Sequence, residues 1–103
     1  MIAMETYPRK LVVIITEAAL ESLLVKDVQR LGAHGYTIAD VRGGGRHGAR
    51  EAAWEGDRNI RMEVICDASV ADAITGHVRA QFSANYATTI FVADIGVLRP
   101  EKF

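Results

Sequence analysis

Near the middle of the chain, Val41–Arg50 compresses four glycines and three arginines into ten residues. No other segment restricts the fold as strongly. Glycine at this density disfavours both helix and strand, because it loses more backbone freedom on ordering than any other residue. The segment therefore reads as a loop, running from Gly43 to about Asp57, that divides the chain into two halves. Its glycines let backbone N–H groups turn toward a ligand, and its arginines carry planar charged forks that match phosphate or carboxylate. The combination points to an anion-binding loop.

Each half carries its own strand and helix signals. In the first, Met1–Arg9 reads as a frayed lead-in, and Lys10–Ile15 (KLVVII) is a continuous apolar run suited to a strand covered on both faces. Thr16 is placed to cap a helix, with Glu17 near its positive end. Leu20, Leu23, Leu24, Val28 and Leu31 recur at helical spacing, and Gly32 suits the residue that closes that helix. Gly35 then turns the chain into a short strand, Tyr36–Arg42. In the second half, Ile60, Met62, Val64 and Cys66 alternate with Arg61, Glu63 and Ile65, a period-2 strand. Asp67 or Ser69 can cap a second helix whose apolar residues Val70, Ile74, Val78 and Phe82 fall four apart. Asn85-Tyr86 breaks it, Thr88–Ile95 is a last strand, and Gly96–Phe103 reads as a tail.

The order β-α-β-(long loop)-β-α-β gives an α+β fold. It is a ferredoxin-like βαββαβ antiparallel sheet with two helices on one face, formed as a single domain over residues 1–103. A small open sheet with apolar residues in all four strands needs cover on its second face, and other subunits are expected to supply it.

Composition narrows the function classes. A net charge of −1 argues against a nucleic-acid partner. The single cysteine, Cys66, forms no intramolecular disulfide and fits a reducing compartment; it reads as a small buried apolar residue. No apolar run reaches membrane-spanning length, so no membrane insertion is expected and a cytoplasmic location is the default. His34, His47 and His77 lack metal-ligand spacing, and His77 is expected on the polar side of the second helix. Asp27 reads as an ordinary solvated charge. Tyr36, Tyr86 and Phe91 are expected in core or interface packing. Trp54 in a polar loop suits either a partner contact or packing back on the body.

With the loop placed between the two middle strands, the chain resembles the PII signal-transduction superfamily, whose mobile T-loop lies there. Gly35-Tyr36-Thr37, followed by Val41-Arg42-Gly43-Gly44-Gly45-Arg46-His47, is similar to the family's Gly-x-Thr and glycine-flanked basic turn. Asn85-Tyr86-Ala87 is similar to the segment before the last strand in PII-like regulators associated with carboxysomes and bicarbonate transport. The resemblance runs from Lys10 to about Leu98. It implies a homotrimer with adenine nucleotide in clefts between subunits and a T-loop over residues 43–57 that meets a partner protein. The nucleotide-binding residues it implies are Thr37, Gly43, Gly44, Gly45, Arg46, His47 and Arg50 around the T-loop base. Ala87, Thr88 and Thr89 before the last strand and the late basic Arg99 complete the set.

Departures from the classical pattern refine that implication. The loop has no tyrosine, so uridylylation is not expected. Thr89 stands where classical members carry a lysine, which weakens triphosphate binding. The C-terminal cysteine pair of some transporter-associated members does not occur in residues 1–103, whose one cysteine is Cys66, so a redox latch of that kind is not expected. AMP and ADP are therefore favoured over ATP as regulatory ligands, with bicarbonate a further candidate. No cofactor, no metal and no catalytic residue is implied. The expected partner is a bicarbonate transporter or carboxysome component. The rival readings are a trimeric metal-binding or metal-tolerance protein of similar fold, a weak nucleotide hydrolase, and an RNA-binding module, which would need a basic face and strand aromatics.

Overall fold

A computed structural model describes residues 5–45, 48–50, 58–82, 84 and 86–103. Its elements are β1 (Tyr7–Glu17), α1 (Glu21–Arg30), β2 (Thr37–Val41), β3 (Gly43–Gly45), β4 (Gly48–Arg50), β5 (Asn59–Cys66), α2 (Ala68–Gln81) and β6 (Thr89–Val97). Short 3-10 turns occupy Ala18–Leu20 and Pro100–Lys102. The main sheet runs β2-β5-β1-β6 and every pairing in it is antiparallel. This is the ferredoxin-like α+β arrangement.

The register shows why the two faces differ. Val12 pairs with Val64 and Val92, and Ile14 with Met62 and Ile90, so these side chains share one face. Leu24 and Val28 of α1 and Ala71, Ile74 and Val78 of α2 pack onto that face in a single buried cluster. Cys66 closes its inner row. The opposite face carries Leu11, Val13 and Ile15 beside Ile65, Phe91 and Ala93. Val13 is fully buried there, yet Phe91 remains 42% exposed.

The helix ends are chemically specified. Asp67 caps α2 by accepting a hydrogen bond from the Val70 N–H at 2.9 Å. Gly32 closes α1 at φ 112°. Its N–H donates to the Gln29 carbonyl while that of Ala33 donates to Val28, the paired bonds of a Schellman ending. His77 and Asp27 join the two helices, Nε2 to Oδ2 at 2.8 Å, and Arg30 adds a 3.6 Å ion pair to Asp27. Neither His77 nor Asp27 is the solvated surface group that its sequence context suggests.

Several boundaries correct the sequence reading. The first strand begins at Tyr7 and continues through Glu17, so it absorbs part of the expected lead-in. Thr16 is not a helix cap: it is fully buried within β1, and a 3-10 turn precedes α1. Thr16 sits in line with Val12 and Ile14, and the helix-facing row carries it inward. The helix α2 ends at Gln81, with Phe82 as its C-cap. The last strand runs on to Val97, because Tyr7 and Pro8 supply partners for Val97 and Gly96. The expected tail thus holds strand and a 3-10 turn. The long loop also contains regular structure: Gly43–Gly45 and Gly48–Arg50 pair antiparallel as a separate hairpin.

Candidate functional site

Antiparallel order brings the end of β2, the start of β5, the end of β1 and the start of β6 to one rim. There Val41 pairs with Asn59, and Ile15 pairs with both Arg61 and Thr89. A cleft of about 330 Å³ opens at this rim. Ile15 and Val41 form its apolar wall, and the backbones of Gly43 and Gly44 form another side. Arg42, Asn59, Arg61 and Thr89 supply its polar groups. Asn59 is 5% exposed, and a buried carboxamide of this kind fixes the orientation of what it bonds. A second hollow of about 290 Å³ lies against Asp40, Arg42 and Arg58. Arg58 Nη2 donates to Asp40 Oδ1 at 3.0 Å, joining two of its lining residues.

Two features position these groups. Thr16 Oγ1 and Thr88 Oγ1 are hydrogen-bonded at 3.0 Å, which ties the segment before β6 to β1 and delivers Thr89 to the rim. Arg61 is held from its own strand, its Nε donating to Glu63 Oε2 at 2.8 Å. Its guanidinium carbon lies 5.8 Å from the centre of the Phe91 ring. With two guanidinium groups, a threonine hydroxyl, glycine backbone that a ligand can approach closely and an apolar wall, the cleft is suited to an anion that carries a flat apolar part.

Of the residues expected from the sequence, Gly43, Gly44 and Thr89 meet in this cleft. Thr88 is adjacent through Thr16, and Ala87 is exposed just before it. Gly45 pairs with Gly48, and the backbone of Arg50 pairs with that of Gly43. Arg46 and His47, the Arg50 side chain and Trp54 lie outside the described residues. Thr37 does not reach the cleft: it pairs with Glu63, at the opposite end of β2 from Val41. Arg99 follows β6 at the far end of the sheet, where it bonds Glu101 at 3.3 Å. Ile15, Val41, Arg42, Asn59 and Arg61 are the lining residues absent from the expected set. Only Val41 and Arg42 carried a local signal, their place within the Gly/Arg run.

Residues 9–102 match the family described as nitrogen regulatory protein P-II. The chain belongs to that family. Among solved structures, a PII-like signalling protein from Thermus thermophilus is 41% identical with a TM-score of 0.84, the match covering 97% of this chain and 99% of that one. CPII from Thiomonas intermedia K12, solved with ADP and bicarbonate, is 30% identical with a TM-score of 0.86, covering 98% of this chain and 99% of that one. GlnK of B. subtilis, at 19% identity and a TM-score of 0.69, shares the fold over 94% of this chain. This member of the P-II family is thus a PII-like regulatory protein. No helix among its described residues is long and apolar enough to cross a membrane.

Proposed function

We propose that this PII-like protein is a non-catalytic sensor that binds adenine nucleotide, with AMP and ADP favoured over ATP, and reports it through residues 43–57. The observation that carries the reading is the meeting of the loop root, Gly43 and Gly44, with Thr89 at the start of the last strand in one cleft. The ADP, AMP and bicarbonate bound by CPII, a 30% identical relative, support the same ligand class. Thr89 offers a neutral hydroxyl where a lysine would favour a triphosphate.

The site is completed in a homotrimer whose subunits cover the open face of the sheet. Arg99, at the other end of the sheet, reaches a nucleotide only from a neighbouring subunit. Arg46, His47 and Arg50 supply the remaining contacts from the loop, and bicarbonate is a second regulatory ligand. Fixing a glycine-rich loop has an entropic cost, which an anion bridging the arginines offsets; a ligand shifts the loop by its differential affinity for the two states. The partner in this reading is a component of cytoplasmic inorganic-carbon handling, such as a bicarbonate transporter or a carboxysome protein.

Calorimetry with AMP, ADP and ATP tests the proposal, and silence from all three up to millimolar concentration would sink it. Arg46→Ala and Arg50→Ala are expected to weaken nucleotide binding and leave the oligomer intact. Loss of the trimer in either variant would make the loop a structural element instead.

A further inference from the structure

We infer that Arg61 is an oxyanion-binding residue of the cleft, held in its binding orientation by Glu63 and Phe91. The inference rests on the cleft being the ligand site proposed above, but it concerns a residue on the sheet and not on the loop. Arg61 stands on β5, in register with Ile15 of β1 and Ala39 of β2. Its Nε is committed to Glu63 at 2.8 Å, which leaves the two terminal nitrogens of the guanidinium as the donors that face a ligand in the cleft it lines. An arginine fork with its inner nitrogen bonded and its plane beside an aromatic ring has few rotamers left to lose on binding. The side chain is half-buried, so its charge is less screened than a surface arginine's.

The chemistry recognised is a small oxyanion with two oxygens in one plane, either the phosphoryl group of a nucleotide or free bicarbonate. Glu63 plays two opposed parts. Its carboxylate orients Arg61, and its negative charge lowers the cleft's attraction for any anion. A glutamine at position 63 still accepts the Nε–H bond but carries no charge, so Glu63→Gln tightens oxyanion binding where Arg61→Gln abolishes or weakens it.

The test is calorimetry on the intact protein with AMP, adenosine, inorganic phosphate and sodium bicarbonate, for the wild type, Arg61→Gln, Arg61→Lys and Glu63→Gln. Loss of one charge-assisted contact is expected to weaken binding roughly tenfold to a hundredfold. A fall for AMP with adenosine unchanged assigns the contact to the nucleotide phosphoryl group. A fall for bicarbonate with AMP unchanged assigns it to the free ion. Arg61→Lys keeps the charge without the fork, gives an intermediate loss, and serves as the readout if Arg61→Gln does not fold.

Unchanged affinities in both Arg61 variants would overturn the inference. So would an equal loss in Glu63→Gln, because Glu63 would then touch the ligand and Arg61 would merely hold Glu63. If AMP does not bind but phosphate or bicarbonate does, in an Arg61-dependent way, the nucleotide reading fails and the assignment of Arg61 stands. If the wild type binds none of the four, both fail.

Discussion

The hydroxyls of Thr16 and Thr88 lie 3.0 Å apart and join the buried end of β1 to the segment that leads into β6. Thr16 has no exposed surface, whereas Thr88 is only partly buried. That asymmetry makes the two truncations unequal. Thr16→Val removes the buried hydroxyl and leaves its partner free to bond water, and is expected to lower stability by about 1 kcal/mol. Thr88→Ala strands a buried hydroxyl and is expected to lower it by more, about 1–3 kcal/mol. In the double variant most of the extra loss disappears. Urea denaturation of the three proteins measures this, and a Thr88→Ala milder than Thr16→Val would contradict it.

Gly32 combines a positive φ with a close neighbour. At φ 112° a side chain is strained, and a Cβ there would lie 3.1 Å from Val70 Cγ2 on α2. Gly32→Ala is therefore expected to destabilise the fold by about 1–2 kcal/mol through the backbone alone, with the Val70 contact adding to it. A thermal midpoint equal to that of the wild type would show that the α1 ending relaxes freely.

The Asp67 cap predicts a pH dependence. Hydrogen bonds from the Val70 N–H and then from Ser69 hold its carboxyl below the ordinary value of 3.8. A carboxyl depressed in the folded state contributes stability above its unfolded value and loses it as pH falls through the folded one. Asp67→Asn keeps a capping oxygen without the charge. Its urea midpoint is expected below that of the wild type at pH 7, with the gap closing as pH falls below about 4. A gap constant from pH 7 to 3 would show that charge plays no part.

Cys66 offers a probe of the core. Burial, with a smaller contribution from the Asp67 carboxylate, pushes its thiol up from 9.0 to about 11. Two pH units correspond to about a hundredfold less thiolate at pH 8 than for a free cysteine. Labelling by a disulfide reagent should therefore be slow in buffer and fast in denaturing urea. Rapid labelling in buffer would place the sulfur at the surface.

The sequence made the core more legible than the site, for a physical reason. Ile60, Met62, Val64 and Cys66 announce their face by alternation, and Asp67 and Gly32 are local signals read within one helix end. Thr16 misleads because a threonine before a helix looks the same whether it caps that helix or continues an inward strand row; Val12 and Ile14 decide, through their partners on β5 and β6. Arg61 is harder still. On its own strand it simply alternates with the apolar row, as Glu63 and Ile65 do. It becomes part of a cleft only because Ile15 and Thr89, from distant parts of the chain, arrive at the same rim. Thr37 and Arg99 follow from family resemblance alone, and within one chain neither lines the cleft.

The hairpin at the loop root has a consequence of its own. One of its strands is Gly43-Gly44-Gly45, paired through backbone alone with Gly48, Ala49 and Arg50. A strand without side chains has no inner or outer row to defend, so it works like a rule without graduations. A one-residue slip disturbs no side-chain packing on that strand, so its register is only weakly specified. The stretch that leads out of the cleft can thus shift by sliding rather than by melting, keeping its ladder.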